Sequence, residues 1–211
     1  MDTMIIFDMD GTLWNTIDAT YIGTKLITNK YNLDTVTMKT IRNNMGASME
    51  QTINDYLSSN TIKNKEEIMD EIEKSIRKEI EKGKGITIYP YVYDTLKKLS
   101  QKYKLAIVTN NNDAYAKVLV EMLNAEELFT DYLGCTGRFN SKDEAFLYLI
   151  KKHNVKNAIY VGDTSIDSMA SKKAGIPFIY ARYGFGKNVE NEYFIDSLRE
   201  LPNKIKDIIF R

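Results

Sequence analysis

A chain of 211 residues has room for one large domain, or for a core with a smaller insert, and 43% apolar with 27% charged residues is the make-up of an ordinary soluble globular protein. Lys plus Arg and Asp plus Glu balance at 29 each, which removes the electrostatic case for nucleic acid or an anionic membrane surface. Cys135, the lone cysteine, excludes an internal disulfide, no apolar run approaches a membrane span, and the opening Met1-Asp2-Thr3 leaves no room for a signal peptide, so a cytoplasmic protein is expected.

Met4 to Phe7 is an uninterrupted apolar run and reads as a short strand buried on both faces. It leads into Asp8 and Asp10, which strand periodicity can send to one side, and Gly11 then permits a sharp turn. Two carboxylates at the end of a dry strand are costly unless a cation sits beside them, and a divalent metal is the simplest candidate. The alternative is that the pair only caps a turn.

The pattern is then helical for about seventy residues. Thr16 to Tyr31 carries a stripe at Ala19, Ile22, Leu26 and Ile27, and shorter helices are expected from Asp34 to Asn43 and from Ser48 to Leu57. Lys65 to Lys82 places Ile68, Ile72, Ile76 and Ile80 on one face, and Gly83 and Gly85 stop it. Nothing here alternates like a strand, so the block reads as a helical insert.

Pro90 is expected to open a helix with Val92, Leu96 and Leu99 buried. Strand and helix then alternate: strand Leu105 to Val108, helix Asp113 to Leu123, a weak strand near Tyr132 to Thr136, helix Lys142 to His153, strand Ala158 to Val161, helix Thr164 to Ala174 and strand Phe178 to Ala181. Such alternation indicates a parallel α/β sheet. The remainder, with Ile195, Leu198, Leu201, Ile205 and Ile208, reads as two short amphipathic helices broken at Pro202. His153, the only histidine, sits in a polar run, so a Ser/His or Cys/His catalytic pair is not expected.

In an open parallel sheet, ligands bind beyond the carboxyl ends of the strands. Three strand ends are polar here: Asp8 and Asp10; Thr109 and Asn110, which can donate to phosphate-type oxygens; and Gly162-Asp163-Thr164-Ser165-Ile166-Asp167, whose two aspartates can lean toward one point. Each also admits a plain capping role. A Ser141-x-x-Glu144 capping box would set Lys142 in the first turn of its helix, facing the acidic cluster, with a surface lysine as the alternative.

The set formed by Asp8-Met9-Asp10-Gly11-Thr12-Leu13, Thr109-Asn110, Lys142 and Gly162-Asp163 with Asp167 resembles the haloacid dehalogenase superfamily of phosphohydrolases over essentially the whole chain. The phosphoglycolate phosphatase-like subgroup is the nearest pattern, through the Pro90 helix, the Tyr183-Gly184-Phe185-Gly186 loop and Ile195-Asp196-Ser197-Leu198. Two positions depart from it: Asp143 follows the lysine where proline is usual, and Trp14-Asn15-Thr16 replaces an apolar residue, Asp and Ser at the hinge.

The resemblance implies an α/β fold with a Rossmann-like parallel core, residues 1–14 and 86–211, and a helical C1-type cap, residues 15–85, inserted after the first strand. It implies Mg2+ held by an Asp8 oxygen, the Asp10 carbonyl and Asp163, with Asp167 behind them. Asp8 would attack phosphorus and form an aspartyl-phosphate, Asp10 would serve as acid and base, and Thr109, Asn110 and Lys142 would hold phosphoryl oxygens. The substrate would be a small phosphorylated metabolite, with Asn15, Arg42 and Met45-Gly46-Ala47 as candidate contacts; no nucleic acid, membrane or protein partner is implied. A phosphomutase or nucleotidase shares these motifs. Asp10 and Asp163 argue against a dehalogenase, and the helical insert argues against a phospho-accepting receiver domain.

Overall fold

The computed structural model describes residues 2–33, 36–47, 49–58 and 62–210. The chain divides into two compact units, one formed by Met1–Asn15 with Ile88–Arg211 and the other by Thr16–Thr87.

In the first unit, β1 (Thr3–Phe7) is followed by β2 (Trp14–Asn15), and the second unit supplies α1 (Ile17–Lys30), α2 (Met38–Asn44), α3 (Met49–Tyr56) and α4 (Lys65–Glu81). The chain returns through β3 (Thr87–Ile88) and continues as α5 (Val92–Ser100), β4 (Lys104–Thr109), α6 (Asp113–Met122), β5 (Asp131–Gly134), α7 (Lys142–Lys152), β6 (Asn157–Gly162), α8 (Ser165–Ala174), β7 (Phe178–Ala181), β8 (Phe194–Ile195) and α9 (Leu201–Ile209). Six strands make one parallel sheet in the order β5-β4-β1-β6-β7-β8, the α/β class that the alternation predicts.

β1 lies at the centre because Met4, Ile5, Ile6 and Phe7 are all fully buried and need cover on both faces. Ile5 pairs with Leu105 of β4 on one side and with Ile159 of β6 on the other. Met4 and Ile6 share a cluster with Ala145, Phe146 and Leu149 of α7 and Ala170 of α8. From β1 the chain runs outward through β4 and β5, then crosses back to β6 and leaves in the opposite direction. That reversal makes the carboxyl ends of β1, β4 and β6 the switch point of the sheet.

The helical unit has its own core of Ile41, Leu57, Ile68, Met69 and Ile72. Its α1 packs on α4 through a face only partly the expected one: Ala19 is buried and Ile27 packs against this core, but Gly23, Thr24 and Thr28 are buried with them, whereas Ile22 is 37% and Leu26 55% exposed. Close helix approach selects small side chains, and a Cβ on Gly23 would stand 2.6 Å from the Ile76 backbone. Asp34 and Ser48, the expected starts of the next two helices, lie outside the described residues.

Three further expectations are corrected. The helix expected from Pro90 begins at Val92, because Tyr91 turns left-handed at φ 66° and separates the proline from it. Ile195 belongs to a strand, β8, so the first of the two expected helices shrinks to the 3-10 turn Leu198–Glu200, and Pro202 sits just beyond the junction in the first turn of α9, a place where its missing N–H costs nothing. Ser141 is the N-cap of α7 but makes no side-chain cap; Glu144 instead accepts from the Asn140 N–H at 3.0 Å.

Candidate active site

The Asp8 N–H still donates to the Val161 carbonyl, at 2.8 Å, so its carboxylate leaves the sheet on the last rung of β1. Gly11, at φ 88°, then folds the chain back, with Leu13 N–H donating to Met9 O at 2.8 Å. A Cβ on Gly11 would collide with the Asp163 carboxylate, so this turn requires glycine on two grounds.

Four charged groups converge in the buried switch point. Lys142, in the first turn of α7 and only 4% exposed, donates to Asp8 Oδ1 at 2.7 Å, to Asp167 Oδ1 at 2.7 Å and to the Tyr160 hydroxyl at 3.0 Å. The carboxylate oxygens of Asp8, Asp163 and Asp167 lie within 4.8 Å of one another. Both Asp163 and Asp167 are essentially without solvent contact.

The two aspartates of α8 and its approach differ in their surroundings. Asp167 Oδ1 accepts from Lys142 and from the Tyr160 hydroxyl (2.8 Å), while Oδ2 accepts from Thr164 N (2.9 Å), Thr164 Oγ1 (2.6 Å) and Asp163 N (3.3 Å). Asp163 Oδ2 takes the Phe185 and Gly186 N–H groups at 2.6 and 3.4 Å, and Oδ1 is 3.4 Å from the Thr12 hydroxyl that donates to it. The loop can come so near because Gly184 and Gly186 have no Cβ; one at either position would strike Asp163.

Electrostatics follow from this packing. Burial lifts the Asp163 carboxyl to about 7, helped by the Asp167 charge and opposed by the two loop N–H groups. Burial likewise pushes Asp8 well above the usual carboxylate range, against the pull of Lys142. For Asp167 burial is outweighed by the Lys142 ion pair and its hydrogen bonds, and its carboxyl lies below the usual value. Burial would strip Lys142 of its proton, but Asp167 and Asp8 more than restore it and hold it above the ordinary lysine value. Three carboxylates thus face one ammonium in a dry site, a surplus of negative charge that an additional cation would relieve. An all-oxygen donor set suits a hard divalent ion.

The remaining predicted residues reach the same edge of the sheet. Asp10 is half-buried, with Oδ1 accepting from the Tyr115 hydroxyl at 2.8 Å. Thr109 ends β4, buried, its Oγ1 accepting from Asn111 N at 3.2 Å, which leaves the hydroxyl hydrogen for another acceptor. Asn110 is exposed; its carbonyl accepts from Thr136, and among the described residues no hydrogen bond ties its side chain to the carboxylates.

Sequence reasoning passed over Tyr160 and Tyr89 and met Tyr183 only as part of a loop. Tyr160 hides its hydroxyl between Lys142 and Asp167, and its only signal was a polar-tipped residue inside the apolar run Ala158–Val161. Tyr183 donates to the Thr12 carbonyl at 2.8 Å and meets Tyr89 edge-on at 4.9 Å. Burial, helped by the Asp163 and Asp10 charges, raises the Tyr89 hydroxyl to about 12.

The six-stranded parallel sheet gathers acidic groups at its switch point, and the model of the haloacid dehalogenase-like hydrolase family matches residues 5–181: the chain belongs to that family of hydrolases. Among its relatives, the phosphoglycolate phosphatase of Vibrio vulnificus is 28% identical over 214 residues, spanning 94% of this chain and 93% of that one. The phosphoglycolate phosphatase of Aliivibrio fischeri is 28% identical over 86% of this chain and 85% of its own. In fold, a haloacid dehalogenase-like family hydrolase from Streptococcus pneumoniae superposes with a TM-score of 0.85 at 21% identity, covering 96% of this chain and 98% of that one. A subfamily IA hydrolase from Geobacter sulfurreducens gives 0.72 at 16% identity, with 95% of each chain covered. None of the described helices is long and apolar enough to cross a membrane.

Proposed function

We propose that this hydrolase is a Mg2+-dependent, cytoplasmic phosphatase that cleaves a small phosphate monoester, phosphoglycolate or a compound like it, through an aspartyl-phosphate on Asp8. The observation that carries the reading is the buried meeting of Asp8, Asp163 and Asp167 around one lysine, with more negative charge than the protein itself neutralises. The phosphatase names of the relatives at 28% identity support the substrate class.

The ion would be held by an Asp8 oxygen, the Asp10 carbonyl and Asp163, and when bound it would screen the repulsion between a carboxylate and a phosphate dianion. Lys142 aims Asp8 and opposes the burial that raises its carboxyl, and its ammonium is available to a phosphoryl oxygen. Asp8 attacks phosphorus, which splits one hard displacement into two easier ones. Asp10 gives a proton to the leaving oxygen and then takes one from the water that hydrolyses the intermediate. Thr109 and Asn110 donate to the phosphoryl oxygens. Asp167, with both oxygens already engaged, orients Lys142 rather than entering the chemistry. The helical unit, Thr16–Thr87, is read as the cap domain, which selects for small substrates.

A panel of small phosphate esters assayed with Mg2+ and again with chelator tests the reading. Turnover should require the ion and vanish in Asp8→Asn with the fold intact. Undiminished hydrolysis in chelator, or in Asp8→Asn, would overturn it.

A further inference from the structure

We propose that Tyr115 is a positioning residue for Asp10: its hydroxyl fixes the carboxyl so that the proton is delivered from Oδ2. The inference rests on the reading of Asp10 as the acid and base, and deepens it.

The contact is built rather than casual. The Tyr115 hydroxyl lies 2.8 Å from Asp10 Oδ1, and the residue is 7% exposed. Its backbone N–H donates to the Asn112 N-cap oxygen at 3.0 Å, so Tyr115 is locked into the first turn of α6. That turn is itself pinned to β5, where Gly134 N–H donates to Asp113 Oδ1 at 2.6 Å. The ring is held edge-on by fully buried Trp14, with centroids 5.6 Å apart at 71°. Trp14 is bridged in turn to the Asp10 loop, its carbonyl accepting from Gly11 N–H at 2.9 Å. Both partners of the bond are therefore fixed before any substrate arrives, which is the condition for a hydrogen bond to contribute orientation at no entropic cost during the reaction.

A hydroxyl donating into Oδ1 leaves the acidic proton on Oδ2. In the first step an Asp8 oxygen bonds to phosphorus as the ester P–O bond breaks. The leaving oxygen takes the Oδ2 proton, and Asp10 is left as a carboxylate. Tyr115 keeps its own proton throughout, and its bond to Oδ1 strengthens as the charge appears there.

The test compares two esters of similar shape, phenyl phosphate and 2,4-dinitrophenyl phosphate. Phenol, with a pKa of about 10, needs a proton to leave, whereas dinitrophenolate leaves without one. Tyr115→Phe keeps the ring against Trp14. We expect kcat on phenyl phosphate to fall about tenfold with KM within about twofold, the size of one lost charge-assisted hydrogen bond. The burst of dinitrophenolate should slow by less than about twofold, and in an Asp10→Asn background Tyr115→Phe should cost nothing further. The amplitude of the dinitrophenolate burst counts the folded active sites, so kcat on phenyl phosphate is taken per active site. Equal losses on both esters, or a tenfold loss persisting in the Asp10→Asn background, would overturn the role of Tyr115. If Asp10→Asn alone slows both esters equally, the acid and base assignment itself falls and takes this inference with it. If Asp10→Asn discriminates and Tyr115→Phe does not, only Tyr115 is excluded.

Discussion

Burial, with Asp167 beside it, lifts the Asp163 carboxyl from 3.8 to about 7, so in metal-free protein this side chain works against folding at neutral pH. A folded value above the unfolded one means the native state binds the proton more tightly. The associated stability is intact below about 3.8 and is lost as the pH rises through about 7. At about 1.4 kcal/mol per pH unit, that interval caps the loss at roughly 4 kcal/mol at pH 8. Asp8 and Asp167 share the charge, so relieving one carboxylate relieves the others, and the expected gain from Asp163→Asn is about 1–2 kcal/mol. The amide fits the site: its oxygen can keep the Phe185 and Gly186 N–H groups, and its NH2 can donate to the Thr12 hydroxyl, which need only rotate.

Trp14, the only tryptophan, is fully buried in the sheet unit, and its fluorescence reports urea unfolding of that unit specifically. In chelator the variant should be more stable than the native chain at pH 8, with the gap narrowing by pH 5. Magnesium at a hundred times its dissociation constant should add about 2.7 kcal/mol to the native chain and little to the variant. A variant less stable than the native chain at pH 8 in chelator would refute the electrostatic argument. Equal stabilisation of both by magnesium would refute Asp163 as a ligand.

Three other perturbations follow from the packing. Gly184→Ala drives a Cβ into the Asp163 side chain and should cost about 1–3 kcal/mol in the same urea assay, with a fall in kcat larger than the change in KM. Gly23→Ala, which in an exposed helix would gain about 1 kcal/mol, should instead destabilise the helical unit, because the new Cβ meets the Ile76 backbone at 2.6 Å; amide exchange of α1 and α4 reads the effect. Asp131 is held below the usual carboxylate value: burial works the other way, but its bonds to Lys152 (2.7 Å) and His153 (2.8 Å) prevail. The stability it brings is present above the unfolded value of 3.8 and disappears as pH falls through the lower folded one, so Asp131→Asn should cost about 0.5–1 kcal/mol at pH 7 and progressively less as the pH falls below 3.8, by urea unfolding.

What could be read from the residues was whatever had a period or a punctuation mark. β1, β4 and β6 announce themselves as apolar runs because a central parallel strand is buried on both faces, and the polar residues that end them stand out by contrast. The α1 stripe is right at Ala19 and Ile27 and wrong at Ile22 and Leu26, because the rest of the buried face is Gly23, Thr24 and Thr28, which hydropathy alone passes over. Smallness, which lets two helices approach, carries no hydrophobic signal. Strand β8 is too short to show alternation, and Tyr91 gives no sign that it will adopt a left-handed backbone. Tyr115 and Tyr160 were invisible for a different reason. Each meets a charged partner through one hydroxyl across a stretch no local pattern spans, 105 residues for Tyr115 with Asp10 and 18 for Tyr160 with Lys142.

Gly162-Asp163-x-x-x-Asp167 holds two aspartates that only the family resemblance tells apart in the sequence, and the structure gives the physical difference in what each oxygen already touches. Asp167 accepts from Lys142, Tyr160, Thr164 and the Asp163 N–H, and its carboxyl is depressed although burial alone would raise it. A carboxylate so surrounded is a fixed anchor, since any ion drawing on its oxygens would have to displace donors held at 2.6 to 2.9 Å. Asp163 has fewer donors, equal burial and a raised carboxyl, so it stands to gain most from an incoming cation. The same logic explains the glycines. Gly11, Gly184 and Gly186 bring backbone against Asp163 without a side chain between them, so its position is set by main chain on several sides while its charge stays under-compensated. Rigid placement with unmet charge is what an ion-binding carboxylate needs, and it is a poor solution to folding alone; Asp163→Asn separates those two demands.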